Sequence, residues 1–107
     1  MSMETNPEKI VGNLLKDMSE VNDWICIADA TGANGKNSFH ATYRDVVIIL
    51  EAVKESPSVA IGKLAGGFAD LPDGWSPDAV AEAIFSSPDP IGAMMEFWLR
   101  STEDGCS

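Results

Sequence analysis

At four places in the chain a short capping side chain stands directly before a proline: Asn6-Pro7, Ser56-Pro57, Ser76-Pro77 and Asp89-Pro90. Each pair is a helix-start signal. Proline lacks an N–H that the first helical turn does not use, and its ring fixes φ near the helical value. The oxygen of the preceding side chain accepts from the free amides of that turn. Repeated along a short chain, the signal predicts a fold made mainly of helices.

Apolar spacing fills in the helices between these starts. Val11, Leu14, Met18, Val21, Ile25 and Ala28 recur at steps of three and four. This predicts one long helix over 7–30, stopped by Gly32. A competing reading ends the helix near Asn22-Asp23 and makes 24–29 a strand paired with 38–43. Residues 31–41 are Gly- and Asn-rich and read as a loop. Thr42 followed by Asp45 is a capping pair that opens a second helix over 43–55. Its Tyr43, Val46, Val47, Ile49, Leu50 and Val53 cover more than one stripe, so it is predicted to be the most buried element. The remaining starts predict short helices over 57–66, 77–86 and 90–101, the first stopped by Gly66-Gly67. Trp75 is expected to pack on Val80 as a hydrophobic staple. Residues 102–107 read as a frayed tail. The predicted fold class is all-α with about five helices in a single domain over 1–107, with an α+β arrangement carrying a 24–43 hairpin as the minor alternative.

The 107 residues are 45% hydrophobic and 22% charged, the balance of a globular chain. No apolar run approaches the ~20 residues that cross a bilayer. No basic stretch followed by an apolar one opens the sequence, so the expected location is the cytoplasm. Cys26 lies in the apolar run Trp24–Ala28 and reads as a small buried hydrophobe, with Cys106 in a polar tail. Two cysteines and one histidine give no basis for a structural zinc site.

Several motifs come close to a chemistry and miss it. The segment from Asp29 to His40 is similar to a calcium-binding EF-hand loop between two helices. Its twelfth position is His40, or Ala41 if one residue is inserted, where that loop needs a bidentate glutamate. Acyl carrier proteins are also small, acidic and helical, and carry their prosthetic arm on the serine of Asp-Ser-Leu. Here Asn37-Ser38-Phe39 occupies that place with both neighbours changed. Cys26, His40 and Asp45 are the residue types of a nucleophile–base–acid set, without a spacing that specifies one. The sequence therefore predicts no catalytic, cofactor-binding or metal-binding residues, and a protein that is not an enzyme.

The charge pattern carries the functional reading. The chain has a formal charge of −10, which disfavours direct contact with nucleic acid or with an anionic membrane. Basic residues fall at 9, 16, 36, 44, 54, 63 and 100. Between Lys63 and Arg100 stand Asp70, Asp73, Asp78, Glu82, Asp89 and Glu96 with no base among them. Glu8, Asp45, Asp78 and Asp89 are placed at helix starts, where a carboxylate stabilises by about 0.3–1 kcal/mol. Thirteen acids still face seven bases. Asp78 and Glu82 sit one turn apart, a like-charge pair that costs a few tenths of a kcal/mol. A general need for solubility is one account of this surplus.

The sharper account is a surface shaped for a basic partner. In size and charge alone the chain is similar to phage-encoded anti-CRISPR and anti-restriction inhibitors and to bacterial immunity proteins. That likeness implies an inhibitor that acts as a nucleic-acid mimic, covering the basic surface of a nucleic-acid-handling protein. The expected partner-binding residues are Phe68, Asp70, Asp73, Trp75, Asp78 and Glu82, aromatics flanked by carboxylates. The alternative is a helical adaptor or regulatory protein with no link to nucleic acid, forming a homodimer through the apolar seam of its first helix.

Overall fold

In the computed structural model, which describes residues 4–64 and 66–102, cap chemistry places several helices where the sequence puts them. Helix α1 spans Pro7–Val21, and its Asn6 cap accepts from the amides of Glu8 (2.9 Å) and Lys9 (3.4 Å). Helix α3 spans Tyr43–Glu55, opened by a reciprocal pair: the Thr42 hydroxyl accepts from Asp45 N, and the Asp45 carboxylate accepts from Thr42 N. Helix α4 spans Pro77–Phe85 behind Ser76, and α5 spans Pro90–Met94 behind Asp89. Strand β1 (Ile25–Cys26) leads directly into helix α2 (Ile27–Ala33), and strands β2 (Val59–Leu64), β3 (Phe68–Asp70) and β4 (Phe97–Ser101) complete the chain order.

The all-α expectation is therefore wrong. Among the described residues, five helices accompany a four-stranded antiparallel sheet of order β1-β4-β2-β3, an α+β fold. The first correction is the 7–30 helix. It stops at Val21 because Asn22 adopts the left-handed conformation (φ 54, ψ 43) and donates its amide to Met18 O. Asparagine tolerates that conformation and is a recurrent helix terminator. Gly32, assigned as the stop, lies inside α2. The 24–43 hairpin is also absent. A strand does follow Asn22, but Ile25 and Cys26 pair with Leu99 and Trp98 of β4, while His40 N closes a turn on Asn37 O at 2.9 Å.

The predicted helix over 57–66 is strand β2. Ser56 does not open a helix there; it ends α3, and its hydroxyl accepts from Ser58 N (3.1 Å) as the chain turns into the strand. Val59 and Ile61 alternate with Ala60 and Gly62, a period of two that suits a half-buried strand. Gly66 (φ 74) and Gly67 (φ 140) make the β2–β3 hairpin turn rather than a helix stop. Only glycine takes both conformations without steric cost. The predicted helix over 90–101 breaks after Met94, and the aromatic run from Phe97 goes to the sheet, where such side chains pack well. In the tail, Thr102 is held by its amide to Ser58 O (2.9 Å) and by its hydroxyl to Pro57 O; residues 103–107 lie outside the described part.

The register decides which side chains face the helices. Ile25, Leu99 and Ile61 lie side by side across three strands and are 1%, 0% and 3% exposed. With Val59 and Phe97 they join Ile10, Leu14 and Met18 of α1, Val46, Ile49, Leu50 and Val53 of α3, and Val80 and Ile84 of α4 in one core. Each such side chain stabilises by about 1.5–3 kcal/mol relative to exposure. Tyr43 departs from the expected burial of α3: it is exposed, at the helix's first residue. The alternate strand residues Trp98, Ala60, Phe68 and Asp70 lie on the other side of the sheet; Cys26, which alternates with them, is covered at the start of α2, where its thiol meets Asp29. No helix of the described residues is long and apolar enough to cross a membrane.

Candidate functional site

The six residues singled out from the sequence fall into three neighbouring settings. Phe68 and Asp70 belong to β3, on the side of the sheet away from the helices. Asp70 accepts from both Arg100 Nε (3.2 Å) and Nη2 (3.0 Å), and the guanidinium sits 5.3 Å from the centre of the Phe68 ring. Phe68 also meets Trp24 edge-on, with 5.2 Å between ring centres. Asp70 thus has its own cation.

Asp73 and Trp75 form the second setting, where the loop before α4 is pinned by Lys54 of α3. The Lys54 ammonium donates to the backbone carbonyls of Asp73 (2.9 Å) and Trp75, and lies 4.9 Å from the indole centre. Trp75 is half-buried and packs against the core, which gives it the structural duty expected of a residue before a helix cap. Asp70, Asp73, Trp75 and Lys54 share the rim of an open cleft of about 270 Å³.

The third setting contains uncompensated charge. Asp78 and Glu82 stand one turn apart on the exposed side of α4. Among the described residues the ion pairs are Lys36–Asp45 and Arg100–Asp70, so neither Asp78 nor Glu82 has a basic partner. Beside them is a residue that sequence reasoning placed in the core. The Tyr43 phenol donates to the Asp78 carbonyl at 3.2 Å, and its ring lies 6.0 Å from that of Phe85. Partial desolvation first, then the Asp78 and Glu82 charges, raise the Tyr43 pKa above its ordinary value. A phenol and an aromatic ring thus stand beside two carboxylates that lack a cation.

A second acidic group escaped the sequence reading because it depends on how α1 and α2 pack. Burial first, then the charges of Asp29 and Glu20, raise the pKa of Asp17. Glu20 lies in the last turn of α1, which holds no basic residue, so its charge faces the negative end of the helix dipole. Asp29 is also engaged by Cys26, whose amide (3.3 Å) and thiol (3.4 Å) both donate to it. Cys26 is 5% exposed, and burial pushes its thiol up, away from the thiolate that a nucleophile requires. Compared with protein-family models, with curated proteins and with solved structures, the chain matches none.

Proposed function

We propose that this protein is a non-enzymatic binding module that lays an acidic helical face on the basic surface of a partner protein, in the manner of a nucleic-acid mimic. The observation that carries this reading is the pair Asp78 and Glu82 on α4, without a cation and bordered by Tyr43 and Phe85. Bare carboxylates spaced along a rigid helix offer the regular negative charge that a phosphate-binding surface accepts. The Tyr43 phenol beside them supplies an aromatic contact that adds no charge. Asp73 and Trp75 stand in the loop just before α4, whose backbone Lys54 holds. Inhibition of a cytoplasmic nucleic-acid-handling enzyme, of the anti-restriction or anti-CRISPR kind, is the role best served by such a surface.

The immobilised protein, exposed to a bacterial lysate, is expected to retain basic proteins that a short DNA duplex or moderate salt releases. A variant carrying Asp78→Lys and Glu82→Lys is expected to lose them. Retention that is indifferent to duplex DNA, or unchanged in the double variant, contradicts the proposal.

A further inference from the structure

Among the asparagines of this chain, Asn34 is the one followed by glycine. An Asn-Gly step can convert itself chemically. The glycine amide, as its anion, attacks the side-chain carbonyl carbon; a C–N bond forms and ammonia leaves. Water then opens the five-membered imide at either carbonyl. The product is aspartate or, with the backbone rerouted through the side chain, isoaspartate. The sum is one water consumed and one ammonia released. Glycine is the neighbour that permits this best, because it has no Cβ to obstruct the attack.

The native structure opposes this reaction at each reacting atom. Asn34, the C-cap of α2, is 3% exposed, so hydroxide and water have little access to it. Its Nδ2, the leaving nitrogen, donates to Ala30 O at 2.9 Å, and its Oδ1 accepts from Asn13 Nδ2 of α1 at 3.0 Å. The nucleophile is held as well, because Gly35 N donates to Gly32 O at 3.1 Å. Its direction is also wrong. Closing the imide ring brings the Gly35 nitrogen into eclipse with Asn34 Cβ about the Cα–C bond. A ψ of 16 sets it close to eclipse with the Asn34 amide nitrogen instead, turned away from Cβ.

We infer that Asn34-Gly35 is a latent deamidation site, inert in the folded protein and reactive whenever the end of α2 opens. Helix ends open locally, and a reaction confined to the open form runs in proportion to its population. The change is one-way and damaging. The Asn34 side chain bonds α1 to α2, and its backbone carbonyl accepts from Glu4 N at 3.0 Å. An acid at 34 keeps Asn13 as a donor but loses its own bond to Ala30 O. It also sets a buried carboxylate against that carbonyl. Isoaspartate goes further: it lengthens the main chain by one methylene and turns the carbonyl that Glu4 uses into the free acid. A molecule that opens and reacts is thereby marked, so the site records unfolding events, whatever partner the acidic helix binds.

Peptide mapping by mass spectrometry, on protein held at mildly alkaline pH with and without guanidinium chloride, tests the inference. Conversion at Asn34 is expected to be at least tenfold slower in the folded protein than in denaturant. Asn13→Ala frees Oδ1 and is expected to speed conversion severalfold in the folded protein but not in denaturant. Should that variant fail to fold, it is expected to convert at the denatured rate without guanidinium. Refolded deamidated protein is expected to melt at least about 5 °C below the unreacted protein. Equal rates in folded and denatured protein, a first conversion at Asn22 or Asn37, or deamidated protein that melts unchanged overturns the inference.

Discussion

The Tyr43 hydroxyl, at the first residue of α3, donates across 3.2 Å to the backbone carbonyl of Asp78, in the first turn of α4. One bond therefore fixes the separation of the two helix starts and holds a phenol beside two carboxylates.

That placement makes the phenol a reporter of the proposed face. Tyr43 is the sole tyrosine, so the ultraviolet absorbance of phenolate titrates it alone. Partial desolvation and then the Asp78 and Glu82 charges disfavour phenolate, so the midpoint is expected above the ordinary 10.0. Asp78→Asn combined with Glu82→Gln is expected to bring it back toward that value. A wild-type midpoint at or below 10.0 contradicts the arrangement.

Asp17 gives a pH dependence of stability. Its pKa is raised in the native state by burial and by Asp29 and Glu20, so the folded protein binds this proton more readily than the unfolded chain. The stability linked to that proton is fully present below the ordinary value of 3.8 and is lost as pH rises through the raised folded value. Asp17→Asn should therefore raise the thermal midpoint at neutral pH. Relief of a like-charge contact worth a few tenths of a kcal/mol corresponds to about 1–3 °C in a domain of this size. Calorimetry well below pH 3.8 should find the gain gone. A gain of equal size at both pH values would show that the charge is not its source.

Gly62 is the tightest point of the sheet. A methyl group there would meet the Phe68 ring at 2.6 Å and the backbone carbonyl of Ala69 closer still. The ring has some room to move, but the carbonyl belongs to the paired strand and has none. Gly62→Ala is expected to cost about 1–3 kcal/mol in urea unfolding, the usual penalty for overfilling a packed site. A cost under about 0.5 kcal/mol would mean that β3 does not lie where the register puts it.

The helix starts were legible because capping is local: an oxygen, a proline and two amides lie within four residues. Asn6, Thr42, Ser76 and Asp89 all cap as their neighbours dictate. Ser56-Pro57 misled because the same oxygen that caps a helix also closes a turn into a strand. The sheet was harder to read. Val59 and Ile61 show a period of two, but Gly66-Gly67 serves a helix end and a hairpin equally well in sequence. Met94, Trp98 and Leu99 are spaced like a helix stripe, and only partners at Ile25 and Ile61 make Leu99 a strand residue. Such pairings link residues tens of positions apart, which no local pattern encodes. The acidic face was half legible. Asp78 and Glu82 stood out for want of a nearby base, whereas Tyr43 joins them only through the packing of α3 on α4. The seam read along the first helix held only in part: Leu14 and Met18 are buried in this chain's own core together with Ile10, whereas Val21 is exposed and Ile25 and Ala28 lie beyond the helix.

The strand that joins the two halves of the sheet is the last of the described ones. Until residues 97–101 are present, Ile25–Cys26 has no strand neighbour, and the 59–70 hairpin is open on both edges. During synthesis these segments must wait, exposing Ile25 and Ile61, until residues 97–101 have also emerged. Loss of even a few residues before Ser101 would undo contacts made by segments from the opposite end of the sequence.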